Sequence, residues 1–268
     1  MNISVDIPDI LKKIVETKKH ELETVATLKN DFIARADDAV PALDFGQAIS
    51  QNGLSVIAEI KKASPSAGII SHDFDPVKFA KAYKAGGADA VSVLTDVEYF
   101  KGSPEYIPMV REYLPEIPIL RKDFIISESQ IYEARALGAD SFLLIAAILT
   151  VGQLQDFIGL GRQLGMEPLV ESHTAGELEK TIESGATIFG VNNRNLHTFE
   201  VSLDTSVNLY GMIPADGVKV GESGIRSQAD AARLAKAGYN AILVGESLMS
   251  EGFENCGKKI SEFKRSGN

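Results

Sequence analysis

The chain has 268 residues, 44% of them hydrophobic and 24% charged, with a net charge of −10 at neutral pH. That balance describes a globular protein with room for a large core, and it excludes a broad nucleic-acid surface, which would need a basic face. A single cysteine, Cys256, excludes an internal disulfide and fits a reducing compartment, so a cytoplasmic location is expected.

Residues 1–14 lack the basic start and apolar stretch of a signal peptide. Ile7, Ile10, Leu11, Ile14, Val15, Leu22, Val25 and Ala26 recur at helical spacing after Pro8, and predict one amphipathic helix. Residues 1–45 therefore read as an N-terminal helical extension packed on the body of the protein. The first strand is expected at Ser55–Ile60, an apolar run with the length of a buried strand. Glu59 and Lys61 lie two residues apart, so both point to the same side at its C-terminal end.

A repeat follows. Gly87-Ala88-Asp89, Gly138-Ala139-Asp140, Gly185-Ala186-Thr187 and Gly238-Tyr239-Asn240 each lead into an apolar run, and their glycines are 51, 47 and 53 residues apart. Each glycine ends a helical-looking segment, such as 75–85 or 228–237, where a residue with positive φ is favoured. Further strands are predicted between these units at 117–121, 167–170 and 218–220. Strands alternating with helices in near-continuous apolar runs imply a parallel sheet covered on both faces. An open doubly wound sheet does not explain the fourfold period. A closed (β/α)8 TIM barrel does, at about the usual 250 residues. The expected class is thus α/β, a single barrel domain over 1–268 whose last helix runs through Cys256.

The longest apolar run, 142–149, is too short to span a bilayer, so no membrane partner is expected. His20, His72, His173 and His197 show no ligand spacing, and neither a Walker loop nor a G-x-G-x-x-G strand–helix turn occurs. No metal and no dinucleotide are expected.

In a barrel of this kind the chemistry sits at the C-terminal ends of the strands. Those of the odd strands carry Glu59, Lys61, Lys122, Glu171 and Glu222 with Ser223, which would ring one mouth from four directions. Gly224 after the seventh strand and Gly245 with Glu246 after the eighth can turn backbone amides toward a phosphate, opposite Lys61. The Glu246 carboxylate would repel that phosphate, so its side chain is expected to point away while its N–H serves. After the sixth strand, Asn192 could bind a substrate oxygen and Arg194 could clamp a carboxylate. Asn193 and Asn195 suit the turn itself equally well. Phe100, Phe124 and Leu196 offer area against a planar ring.

These residues fall in ordered motifs. They are Glu59, Lys61 and Ser64-Pro65-Ser66; Leu94-Thr95-Asp96 with Tyr99-Phe100 and Gly102-Ser103; and Lys122-Asp123-Phe124. Glu171-Ser172-His173, Gly190-Val191-Asn192 with Arg194 and Leu196, Glu222-Ser223-Gly224-Ile225, and Val244-Gly245 with Ser247-Leu248-Met249 complete the set. From Ile10 through Met249 the chain resembles the indole-3-glycerol phosphate synthase family of tryptophan biosynthesis. Glu246 departs from the family pattern, which often has serine there.

The resemblance implies a carboxy-lyase that closes 1-(2-carboxyphenylamino)-1-deoxyribulose 5-phosphate to indole-3-glycerol phosphate, losing carbon dioxide and water, without cofactor or metal. It also implies that the N-terminal extension lies over the barrel mouth. Lys122 resembles the family's general acid for ring closure, and Lys61 lies toward the substrate's carboxylate and phosphate. Glu171 and Lys61 are the candidates for the later acid and base steps. Glu59 and Asn192 would hold hydroxyls and tune the lysines, with the charges of Glu59 and Glu171 keeping both lysines protonated. Glu222 and Ser223 would complete the polar wall, and Ser64, Pro65, Leu94, Phe100, Phe124, Arg194 and Leu196 would bind substrate. The partner is a small phosphorylated molecule, bound by a monomer or homodimer. The alternatives are another phosphate-binding barrel isomerase and a non-catalytic barrel that binds a phosphometabolite.

Overall fold

The computed structural model describes residues 7–267; residues 1–6 of the expected extension, and Asn268, lie outside the described residues. Eight apolar runs form the strands β1 (Ser55–Ile60), β2 (Ala90–Leu94), β3 (Ile119–Lys122), β4 (Ser141–Ile145), β5 (Leu169–Ser172), β6 (Ile188–Asn192), β7 (Val218–Glu222) and β8 (Ala241–Val244). Each pairs in parallel with the next, and β1 closes the ring on β8, with Ser55 opposite Ala241 and Ala58 opposite Val244. Every residue of β1, β2, β4, β5 and β8 is buried, as strands covered on both faces must be. The molecule is a closed TIM barrel.

Three helices precede it: α1 (Asp9–Thr27), α2 (Lys29–Asp37) and α3 (Phe45–Ala48). Around the barrel run α4 (Pro76–Gly86), α5 (Tyr106–Arg111), α6 (Glu128–Ala136), α7 (Val151–Gln163), α8 (Ala175–Glu183), α9 (Asp204–Leu209), α10 (Gln228–Ala237), α11 (Glu246–Met249) and α12 (Gly252–Lys264). Asp75, Ser127, Thr150, Thr174 and Ser227 cap α4, α6, α7, α8 and α10 by accepting a backbone N–H of the first turn. These capped ends all follow strand C-termini, so the positive ends of the helix dipoles face the mouth. At the other end Gly87 and Gly238 turn the chain at φ 78° and 99°, the left-handed geometry expected of the repeat glycines.

The third residue of the repeat has a separate task. Asp89 accepts the amide of Val56 at 2.8 Å, Asp140 that of Ile119 at 2.7 Å, and Asn240 that of Lys219 at 2.9 Å. Each satisfies an N–H near the start of a neighbouring odd strand, so the repeat is read out at the stabilising end of the barrel.

Two expectations are corrected. β3 and β5 run over 119–122 and 169–172 instead of 117–121 and 167–170, because Pro118 and Pro168 lack a ladder donor and hold the preceding residues in the loops. β7 extends past 220 to Glu222, in register with Asn192. Lys122, Glu171 and Glu222 are thus held inside the ladder and not beyond it. The amphipathic helix expected after Pro8 forms as α1; a second helix, α2, follows a break at Leu28, and within α1 Ala26 is exposed while the apolar stripe of Leu11, Ile14 and Val15 continues through a buried Lys18.

Candidate active site

Strand parity and barrel closure bring the charged ends together. The last inward-facing groups of β1, β3, β5 and β7 surround a cavity of about 400 Å³ at the C-terminal mouth. Glu59, Lys61, Lys122, Glu171, Asn192, Glu222 and Ser223 all line it, as do Ser64, Pro65, Leu94, Phe100, Phe124, Arg194 and Leu196. Gly224, Gly245 and Glu246 close one end. Leu143, Ile145 and Leu243 supply apolar wall from the even strands, and Ile10, Leu11 and Ile14 of α1 reach in from the extension. In sequence the extension showed an amphipathic stripe, and the family resemblance set it over the mouth; which of its residues meet the cavity depends on how the helix docks.

Two ion-pair centres occupy the polar wall. Lys61 Nζ lies 2.8 Å from Glu59 Oε1. Lys122 Nζ lies 3.1 Å from Glu171 Oε2 and 2.5 Å from Glu222 Oε2. Glu222, assigned from sequence only to the wall, is therefore a direct partner of Lys122, whereas Glu59 serves Lys61. Burial alone would lower the Lys122 ammonium, yet Glu222 and Glu171 raise it above its ordinary value. Burial also pushes the Glu222 carboxyl up; Lys122 opposes this and the nearby Glu171 charge adds to it. Burial would do the same to Glu171, but Lys122 and His173 hold it below the usual carboxylate range.

His173 went unassigned in the sequence beyond its lack of a ligand pattern. Its Nε2 lies 3.3 Å from Glu171 Oε1 and its Nδ1 3.1 Å from Glu177 Oε2. Burial would lower its pKa, but Glu177 and Glu171 raise it, so the imidazole supports an ionised Glu171. The result is one ammonium between two carboxylates, one favouring a proton and the other favouring charge. Such a set can give a proton at one point and take one at another.

Glycine is required where this wall is tightest. A Cβ on Gly245 would collide with Glu59 Oε1 and come within 3.1 Å of Lys61 Nζ. Ser223 and Gly224 turn the next loop with φ 64° and 81°. Asn193 holds that turn: buried, it donates Nδ2 to the carbonyls of Glu222 and Ser223 at 3.0 and 3.2 Å, and its Oδ1 accepts from Ser206. Asn195 accepts the amides of His197 and Thr198 in an ordinary turn. Two asparagines with equal sequence prospects thus take opposite roles.

The Glu246 side chain extends toward Arg194. Its Oε2 lies 3.5 Å from Arg194 Nη2, because the guanidinium offers it the nearest opposite charge. Ser247 Oγ donates to the Ile225 carbonyl at 2.9 Å and ties the two glycine-bearing loops together. Across the cavity the Phe100 and Phe124 rings lie 6.0 Å apart. Among the described residues no group of three or more His, Cys, Asp or Glu could hold a metal ion, and no helix is long and apolar enough to cross a membrane.

The sequence model of the family described as indole-3-glycerol phosphate synthase matches residues 11–263. An indole-3-glycerol phosphate synthase of Chloroherpeton thalassium is 47% identical over 246 residues, covering 90% of this chain and 94% of that protein. One from Desulfotalea psychrophila is 46% identical over 263 residues, covering 96% and 99%. Among solved structures, a 3-hexulose-6-phosphate synthase from Salmonella typhimurium superposes with a TM-score of 0.65 at 14% identity, over 80% of this chain and 100% of that one. At that identity the likeness concerns the barrel fold alone.

Proposed function

The chain belongs to the indole-3-glycerol phosphate synthase family, and on that premise we propose how its mouth closes 1-(2-carboxyphenylamino)-1-deoxyribulose 5-phosphate to indole-3-glycerol phosphate. The observation that carries the reading is the Lys122 ammonium held between Glu171 and Glu222, on the wall it shares with the Lys61–Glu59 pair. The substrate's phosphate lies at the Gly224 and Gly245 loops, with the Glu246 N–H and Lys61. Its benzoate ring packs against Phe100, Phe124, Leu94 and Leu196, and Arg194 and Lys61 meet its carboxylate. Ser64 and Pro65 border the ring side.

Ring closure forms a bond from the carboxylate-bearing aromatic carbon to the ketone carbon. Lys122 gives its proton to the ketone oxygen as that bond forms. Loss of carbon dioxide returns the electron pair to the ring. The amine lone pair then expels the new hydroxyl as water, with the proton supplied by Lys61. Glu171, kept ionised by Lys122 and His173, removes the proton whose loss completes the indole. Glu59 and Asn192 hold substrate hydroxyls, and Glu222 with Ser223 returns the proton to Lys122 and closes the wall. Each positioned acid or base contributes on the order of 10²–10⁴-fold.

The chain works as one barrel domain, with the described part of its N-terminal extension, 7–45, over the mouth. It acts as a monomer or homodimer in the cytoplasm, where its buried Cys256 stays reduced, and it engages neither nucleic acid nor metal. The test is to add the substrate to the purified chain in the presence of a chelator and follow indole absorbance. The chain contains no tryptophan, so the product's indole ring is not confused with one of the protein's own, and the seven tyrosines give a constant background. Indole formation supports the reading; a folded sample that binds substrate without turnover overturns it in favour of a binding barrel.

A further inference from the structure

Lys18 interrupts the apolar stripe of α1, yet its side chain is only 2% exposed. Its ammonium lies 2.9 Å from Asp96 Oδ2, 2.9 Å from Asp123 Oδ1 and 2.8 Å from Glu21 Oε2. Asp96 and Asp123 belong to the loops after β2 and β3, and both organise site residues. Asp96 Oδ1 accepts the amides of Tyr99 at 2.7 Å and Phe100 at 3.0 Å. Asp123 follows Lys122 directly, and its Oδ1 also accepts the Phe124 amide at 2.8 Å. Its Oδ2 takes the Thr95 hydroxyl at 2.6 Å and Arg121 Nη2 at 3.2 Å. One residue before Lys18, the Thr17 and Tyr99 hydroxyls meet at 2.9 Å.

We propose that Lys18 is a positioning residue for the reaction: it pins α1 across the mouth and fixes the two loops that present Phe100, Lys122 and Phe124. The proposal rests on the mouth being the active site. A buried ion cluster is a poor device for stability alone, since apolar replacements of the same shape are often neutral or stabilising. Its value lies in direction, because an ammonium with three donors is satisfied in only one register of the helix against the two loops. The same chemistry suits a reversible roof. When α1 lifts, the cation and both carboxylates regain water, so release is less costly than exposing an apolar seam of equal size. With α1 down, Ile10, Leu11 and Ile14 close on the cavity.

The test compares wild type, Lys18→Met, Lys18→Arg and Lys122→Met by steady-state kinetics, with hydrogen exchange over residues 9–27. Lys18→Met should lower kcat/KM about ten- to a hundredfold, with KM and kcat both affected, as for other elements that close over a site. Amides of α1 should exchange faster while the strands stay protected, and Lys18→Arg should recover most of the loss. A merely structural lysine would lower the melting temperature and leave KM and kcat of the folded enzyme alone. Should Lys18→Met fail to fold, Lys18→Met/Asp96→Asn replaces it. That double variant removes one charge of each sign and keeps an oxygen to accept the Tyr99 and Phe100 amides. Normal KM and kcat in the folded variant, alongside an inactive Lys122→Met, overturn the pin alone. Normal turnover by Lys122→Met removes the mouth assignment and the pin with it.

Discussion

Both ends of this barrel are polar, and they differ in what their polar groups are bound to. At the N-terminal end of the strands, Asp89, Asp140 and Asn240 accept backbone amides, and Asp140 also takes the Leu43 amide at 2.9 Å. At the mouth the charged groups bind one another and face a cavity. There Glu222 Oε1 and His173 Nε2 are buried without a hydrogen-bond partner, although His173 Nε2 has the Glu171 carboxylate at 3.3 Å. A buried polar atom left unpaired costs about 1–3 kcal/mol. Among the described residues the amide-bound acceptors of the N-terminal end avoid that cost, and the mouth carries it at Glu222 Oε1. Unsatisfied capacity, more than charge as such, separates a working site from a structural one.

The largest effect expected from breaking this contrast is at the mouth. Lys122→Met should lose at least about a hundredfold in turnover with little change in the unfolding transition; near-normal turnover in the purified variant would remove Lys122 from the acid role. The mirror experiment is Asp140→Ala, which strands the Ile119 and Leu43 amides and removes the carboxylate beside the Arg111 guanidinium. It should cost about 3 kcal/mol in denaturant unfolding, with kcat and KM of the folded protein unchanged. A fall in kcat there would mean that the two ends are not separable.

Asp123 tests the boundary, because it stands at the mouth but is bound like a structural group. Burial would raise its carboxyl, yet Arg121 and Lys18 hold it at about 2 against an ordinary 3.8. A depressed folded pKa contributes stability that is fully present above the unfolded value and is lost as pH falls through the folded one. About 2 kcal/mol should therefore disappear between roughly pH 4 and pH 2, and Asp123→Asn should flatten that part of the profile. An unchanged acid limb in Asp123→Asn would show that the buried cluster contributes nothing to acid stability. The smallest expected effect is Gly245→Ala, whose Cβ must displace Glu59 from Lys61. It should raise KM about tenfold while leaving the melting temperature within a few degrees.

Local pattern carried much of this molecule. Apolar runs of strand length, the Gly-Ala-Asp repeat and helix-ending glycines are properties of neighbouring residues, and they specified the eightfold alternation before any contact was known. An acid or base within the last two positions of a strand is equally local, so Glu59, Lys122, Glu171 and Glu222 could be singled out without knowing their partners. What could not be read was which charge meets which. Lys122 reaches Glu171 and Glu222, 49 and 100 residues away, through the closure of the barrel. Asn193 and Asn195 look alike in sequence, yet packing buries one against Glu222 and Ser223 and leaves the other in a turn.

Lys18 is the sharpest case. On a helical wheel it is a flaw in an apolar stripe with Glu21 one turn on, and the loops after β2 and β3 supply its two buried partners. The sequence by itself determined the alternation of elements, the charged strand ends that line the mouth and the family to which the chain belongs, because all three rest on spacing along the chain. Tertiary structure alone decided the pairing of the lysines, the perturbation of Glu222 and His173, and the partners of Lys18 on α1, because electrostatic energy depends on distance and burial in space.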